Sequence, residues 1–194
     1  MKIIGVTGSS GAGKTEVCRI LQEQFDAEVI DADAVAKKLS KKGTLYLNSI
    51  VSHFGADIVY KNGALNRKKL ANMIYEDDQK REQLNRCTFD FIVQDIKKRI
   101  NKVNHKEMIL IDAPLLFESG LNSICDNVIV VLAKQEEQIK RICKRDSITE
   151  EVAKKRLNAQ NTNEYFEEVG DIVIVNDKTL EDLKQKVEAI EKEI

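Results

Sequence analysis

The sequence predicts an α/β fold, a parallel sheet covered by helices on both faces, and three observations carry that reading. Five short apolar runs, mostly β-branched, recur along the chain: Lys2–Val6, Ala27–Ile30, Met108–Ile111, Asn127–Leu132 and Asp171–Val175. Helical stripes alternate with them, the arrangement that parallel strands require for their crossovers. A glycine-rich turn, Gly8 to Gly13, stands between the first run and the first stripe.

Taken in order, the first run is a buried strand that feeds the turn. Val17, Ile20, Leu21, Gln24 and Phe25 then fall on one helical face, with only Gln24 polar. The second run ends in Asp31-Ala32-Asp33. Between the second and third runs lies a long insertion, about residues 36–104, rich in Lys and Asn and mostly helical in pattern, with a turn signal at Lys61-Asn62-Gly63. The third run, Met108–Ile111, closes on Asp112. A second excursion, about residues 136–166, alternates in charge without a strand signal. The chain ends in an amphipathic helix with the stripe Leu180, Leu183, Val187, Ile190 and Ile194, for which Thr179 is the expected N-cap. One domain is expected, with its core at about 1–35, 105–135 and 167–194.

Composition narrows the function classes. Hydrophobic residues make up 42% and charged residues 32%, which suits a buried core under a solvated surface. The formal net charge is −1 and no basic block occurs, so no nucleic-acid partner is expected. No apolar run is long enough to span a bilayer and no cleavable leader is evident, so no membrane partner is expected. Cys18, Cys87, Cys125 and Cys143 stand far apart, and with two histidines in the chain a Cys/His metal site is not expected. A reducing, cytoplasmic setting fits these thiols. Nothing in the sequence reads out the oligomeric state.

Gly8-Ser9-Ser10-Gly11-Ala12-Gly13-Lys14-Thr15 matches GxxxxGK[ST] in the context its chemistry needs, after a strand and opening a helix. The glycines let successive N–H groups turn inward toward phosphate oxygens, and the helix presents its positive end to the same anion. Lys14 should reach the β- and γ-phosphates of ATP, and the Thr15 hydroxyl should ligate Mg²⁺. The guanine-selective NKxD tetrad is absent. Asp31 and Asp33 fall at the carboxyl edge of the sheet, where open α/β folds bind ligands. One of them, with Asp33 preferred, would orient or accept the proton of an attacking hydroxyl; the plainer alternative is a cap for the next helix. Asp112 would hold Mg²⁺ directly or through water, or else serves only the turn after its strand. In the second excursion Gln138, Arg141 and Arg145 share one helical face, opposite Ile139, Ile142 and Cys143. They form either a flap closing over the triphosphate or a solvated face paired with Glu137 and Asp146; Arg156 and Gln160 are a weaker pair in the same segment.

These residues resemble the dephospho-coenzyme A kinase family. The opening IIGVTGSSGAGKT resembles its phosphate loop, with Ser9 where glycine is usual and Thr15 where serine is common. VIDADAVAKKL, the stretch from Gly43 to Leu70, DAPLLFESGL, QIKRICKRDSITEEVAKKRLNAQ and DIVIVND are similar to successive family segments, covering nearly the whole chain. The resemblance implies a three-layer P-loop kinase fold with a five-stranded parallel sheet, a helical substrate-binding insertion and a small helical lid. It implies ATP-dependent phosphorylation of the 3′-hydroxyl of dephospho-coenzyme A to give coenzyme A and ADP, the last step of coenzyme A biosynthesis. Carried over, Asp33 would activate the hydroxyl, while Lys14 and Arg145 would stabilise the phosphoryl group in flight. Arg67, Leu116, Phe117 and Glu118 would line the acceptor side, Gln138 and Arg141 would belong to the lid, and Asn176 would approach the adenine of ATP. Phe89-Asp90 stands where the family commonly has His-Pro, so no role of that histidine transfers. A kinase of another small alcohol, such as a nucleoside, and a non-catalytic nucleotide switch are the competing readings.

Overall fold

The structure, a computed structural model, describes residues 1–194, the side chain of Lys192 excepted. The chain divides into two compact units, Met1–Asp31 with Val103–Ile194, and Ala32–Lys102.

The first unit is built on five parallel strands, β1 (Lys2–Thr7), β2 (Glu28–Asp31), β3 (Met108–Asp112), β4 (Asn127–Leu132) and β5 (Ile172–Val175), in the order β2-β3-β1-β4-β5. The strand that feeds the glycine-rich turn is therefore central. Alternation sorts the side chains. Ile4, Val6, Met108, Leu110, Ile129, Val131, Ile172 and Ile174 meet Val17, Ile20 and Leu21 of helix α1 (Lys14–Phe25) and Leu183 and Val187 of helix α9 (Leu180–Ala189) in one core cluster. The remaining helices of this unit are α6 (Gln135–Asp146), α7 (Glu150–Asn158) and α8 (Asn163–Val169). Thr179 caps α9 by accepting from Asp182 N at 3.2 Å, as expected, although Leu180 stays half exposed outside the predicted stripe. Ile139 and Ile142 of α6 form a separate small core with Ala153 and Leu157 of α7. Among the described residues, no helix is long and apolar enough to cross a membrane.

The second unit is helical: α2 (Ala32–Leu39), α3 (Leu45–Phe54), α4 (Arg67–Tyr75) and α5 (Asp78–Ile100). Its core gathers Tyr46, Ile50, Phe54, Ile58 and Leu70, with Phe91 and Ile92 of α5 packed against them. The turn at Lys61-Asn62-Gly63 forms, closed by Gly63 N donating to Tyr60 O at 2.8 Å. Helix α5 runs unbroken for 23 residues through Phe89 and Asp90. A proline at position 90 would remove a helical N–H at that point, so its replacement by Asp90 keeps the hydrogen-bond ladder continuous.

The glycine turn fits where it does because Gly8 has no side chain. Its φ is 134°, and a Cβ there would sit 2.1 Å from the carbonyl oxygen of Val131 on β4. Gly8→Ala is expected to destabilise the protein by about 3 kcal/mol or more, read as a lowered denaturant midpoint. Gly43→Ala, at φ 84° but with nothing within 4 Å of the added methyl, should lose only about 1–2 kcal/mol.

Candidate active site

The phosphate turn sits at the carboxyl end of the central strand, flanked through β3 by two acids. Val6 pairs in register with Asp112, which pairs in turn with Asp31. The thiol of Cys18, buried in the next helix, records how close these groups lie. Burial pushes its pKa well up, Asp112 and Asp31 push it further, and only Lys14 acts against them. Cys18 is thus an inert core residue rather than a nucleophile.

The carbonyl oxygens of the turn are held by donors. Lys14 Nζ donates to Gly8 O at 2.7 Å and Ser9 O at 3.1 Å. Arg141 Nη1 donates to Gly11 O and Ala12 O, both at 3.2 Å, and its Nη2 to Asn176 O at 3.0 Å. Buried Asn176 donates through Nδ2 to Ala12 O at 2.8 Å. The buried Gln138 amide donates to Ser9 Oγ, giving the serine that replaces a glycine a partner of its own. With the carbonyls anchored, the turn is preorganised for an anion, since no reorientation of peptide units is needed on binding. At the start of α1, intrahelical bonds begin with Glu16 and Val17 donating to Gly13 O, and no side chain caps that end. The N–H groups of Lys14 and Thr15 precede those bonds and form the ready-made anion site of an uncapped helix N-terminus.

Each predicted residue can now be placed. Gly8 to Thr15 form the turn and first helical residues, and Asp112 and Asp31 stand on the adjoining strands. Arg141, Gln138 and Asn176 pack against the turn itself, Arg141 and Asn176 fastening its backbone and Gln138 the Ser9 hydroxyl. Arg145 lies at the exposed end of α6, where Nε and Nη2 donate to both carboxylate oxygens of Asp146 at 2.8 and 2.9 Å. Arg156 of α7 bonds the same carboxylate. Leu116 is fully buried under Gly5 of β1, while Phe117 and Glu118 are more open. Burial raises the Glu118 pKa, partly offset by its own backbone and by Asn161. In the second unit, Asp33 is exposed in the first turn of α2, and Arg67 donates to Ser40 Oγ and to Lys37 O at 3.4 Å. Both belong to the surroundings of Tyr46, whose pKa burial raises; Thr88 and Arg67 lower it, and Asp33 adds to the rise. Asp33 and Arg67 therefore share one neighbourhood within that unit.

Asp146 offers a test of stability. Hydrogen bonding to Arg145, then to Arg156, outweighs burial and holds its pKa at about 2. A depressed carboxylate pKa stabilises above the unfolded value near 4 and loses that contribution as pH falls toward 2. Asp146→Asn should therefore cost on the order of 1 kcal/mol at neutral pH after solvent screening. The gap from the parent should close between pH 4 and 2 in pH-resolved denaturation.

Sequence reasoning missed two site contacts. Ser10 N donates to Gln160 Oε1 at 2.8 Å, and Asn161 Nδ2 donates to Glu118 Oε1 at 2.7 Å. Gln160 was visible only as half of a weak pair with Arg156, and Asn161 carried no signal, because partners 150 and 43 residues apart leave no local periodicity.

Comparison with known proteins agrees with this fold. The chain is 40% identical over 186 residues to the dephospho-CoA kinase of Fusobacterium nucleatum, covering 96% of this chain and 95% of that one. A crystal structure from Thermus thermophilus superposes with a TM-score of 0.82 at 25% identity, covering 100% of this chain and 97% of its own. The dephospho-CoA kinase from Campylobacter jejuni superposes with a TM-score of 0.68 at 27% identity, over 100% of this chain and 97% of that one. With the phosphate turn and its flanking acids in place, and with the dephospho-CoA kinase family profile matching residues 2–182, the chain belongs to the dephospho-CoA kinase family.

Proposed function

We propose that the site transfers the γ-phosphoryl group of ATP to the 3′-hydroxyl of dephospho-coenzyme A, in a single in-line step. The observation that carries this reading is the anchored phosphate turn, whose carbonyls are tied back by Lys14, Arg141 and Asn176 at a sheet edge bearing Asp31 and Asp112. Backbone N–H groups of the Gly8–Thr15 turn, other than that of Ser10, hold the triphosphate, and the Lys14 ammonium neutralises charge on the β- and γ-phosphates. Asp33, two residues beyond Asp31 in the chain, orients the acceptor hydroxyl and takes its proton. Asp31, Asp33, Arg67, Leu116, Phe117 and Glu118 bind the acceptor. Residues 136–166 act as the lid, and Arg145 leaves Asp146 to meet the transferring group when nucleotide binds. Asn176 lies on the adenine side.

Thr15, exposed at the start of α1, and Asp112 offer the one or two protein oxygens that Mg²⁺ takes alongside phosphates and water. When bound there, the ion would polarise the phosphoryl oxygens and neutralise charge. Four free thiols fit a reducing cytoplasm as the working compartment.

The test is a coupled ADP-release assay with Mg·ATP, comparing dephospho-coenzyme A, adenosine, uridine and buffer. Turnover only with dephospho-coenzyme A is expected. Turnover only with a nucleoside would keep the kinase and discard the acceptor.

A further inference from the structure

Resting on the acceptor assignment above, we infer that Gln160 and Asn161 form a strap that positions the phosphate turn and the acceptor-side turn together, so that each substrate favours binding of the other. The two residues are adjacent, lie outside regular structure and face different loops. Gln160 accepts from Ser10 N on the nucleotide side, and Asn161 donates to Glu118 on the acceptor side. Two neighbouring amides thus reach two different turns from one short connection between helices.

Both ends of the strap are fixed. At the α7 end, Gln160 N donates to Leu157 O at 2.9 Å, and Leu157 and Ala153 are buried. At the α8 end, Thr162 caps the helix by accepting from Tyr165 N at 3.3 Å, Asn163 Nδ2 donates to Ala133 O at 3.2 Å, and Phe166 is buried. Tyr165 meets Phe117 edge-on at 6.2 Å, a second contact from the same segment to the acceptor turn. A short link held at both ends transmits a shift at one turn to the other instead of absorbing it.

Bond chemistry agrees with a positioning role. Gln160 uses its carbonyl oxygen and Asn161 its NH₂ group. The Ser10 N–H is thereby held by a neutral acceptor, which fixes the open side of the turn without placing negative charge beside the triphosphate. Asn161 holds one oxygen of the Glu118 carboxylate, which fixes the direction of that acid on the acceptor-side turn. Neither amide touches a reacting atom, so both are positioning residues.

Calorimetric titration of a non-hydrolysable ATP analogue with Mg²⁺, without and with saturating dephospho-coenzyme A, reads the coupling directly. In the parent chain the acceptor should tighten the analogue at least about fivefold. Gln160→Ala and Asn161→Ala should each bring that ratio close to one, and the double variant should change it no further, because the pair acts as one element. Gln160→Glu, which keeps an acceptor for Ser10, should weaken the analogue in both states yet retain the ratio. Thermal midpoints recorded alongside should stay near the parent's. The inference is overturned if Gln160→Ala weakens only the nucleotide, Asn161→Ala only the acceptor, and the ratio survives in both. A parent that turns over dephospho-coenzyme A but shows no coupling overturns the strap alone. A parent that binds no dephospho-coenzyme A overturns the acceptor assignment beneath it.

Discussion

Asp33→Asn is expected to lower kcat by about 10²–10⁴-fold while the affinity for ATP stays within about twofold. The replacement is close to isosteric, so an orienting hydrogen bond to the acceptor hydroxyl survives, but an amide cannot accept the proton that the hydroxyl must lose. Asp33 is exposed in the first turn of α2, where a negative charge also favours the helix dipole. Removing it should cost only about 0.3–1 kcal/mol of stability, far less than the loss in rate. Asp31→Asn is the control, since Asp31 is equally exposed but sits on β2 in register with Asp112. A larger fall in kcat for Asp31→Asn than for Asp33→Asn would move the base to the strand end. An Asp33 variant that retains kcat within threefold would leave the acid as a helix-start residue and no more.

The sequence made the strands and the phosphate turn legible because each announces itself within a few residues. Apolar β-branched runs mark buried parallel strands, and all five lie within a residue of the observed bounds at each end. The glycine spacing of the turn names its own chemistry, and Asp31 and Asp112 were visible as acids closing apolar runs. Periodicity also separated Ile139 and Ile142 from Gln138 and Arg141 on α6, and the structure buries that apolar pair against α7. What periodicity could not show is which distant group each polar side chain meets. Gln138 holds the Ser9 hydroxyl and Arg141 the turn's own backbone across about 130 residues of sequence, and Asn176 bonds that backbone across 164. Arg145 pairs with Asp146, the very next residue, although helical geometry sets it on the same face as Arg141. Leu180 shows the opposite failure: its spacing fits the apolar stripe of α9, but it is the first residue of the helix and remains half exposed. Pattern fixes which face a residue occupies, whereas its partner depends on the packing of elements far apart in the chain.

Lys14→Met should reduce kcat/KM for ATP by about 10²–10³-fold or more, and it separates holding the turn, which the structure shows, from the proposed action on the phosphates. The ammonium donates to Gly8 O and Ser9 O, so it shapes the turn; under the proposed function its charge also acts on a phosphate oxygen. If shaping the turn were its whole work, losing it would leave two partly buried carbonyls short of a donor and cost about 1–3 kcal/mol of stability. Saturating ATP would then restore most of the rate. If the charge acts on the phosphates as they separate, kcat itself must fall and no concentration of ATP can recover it. Lys14→Arg sharpens the distinction, because the planar guanidinium keeps the charge but cannot place a compact ammonium between two carbonyls and a phosphate. The expected order is therefore loss of kcat in both variants, with ATP affinity better kept in Lys14→Arg than in Lys14→Met. A Lys14→Met protein that is destabilised yet turns over within tenfold of the parent at saturating ATP would confine Lys14 to holding the turn in shape.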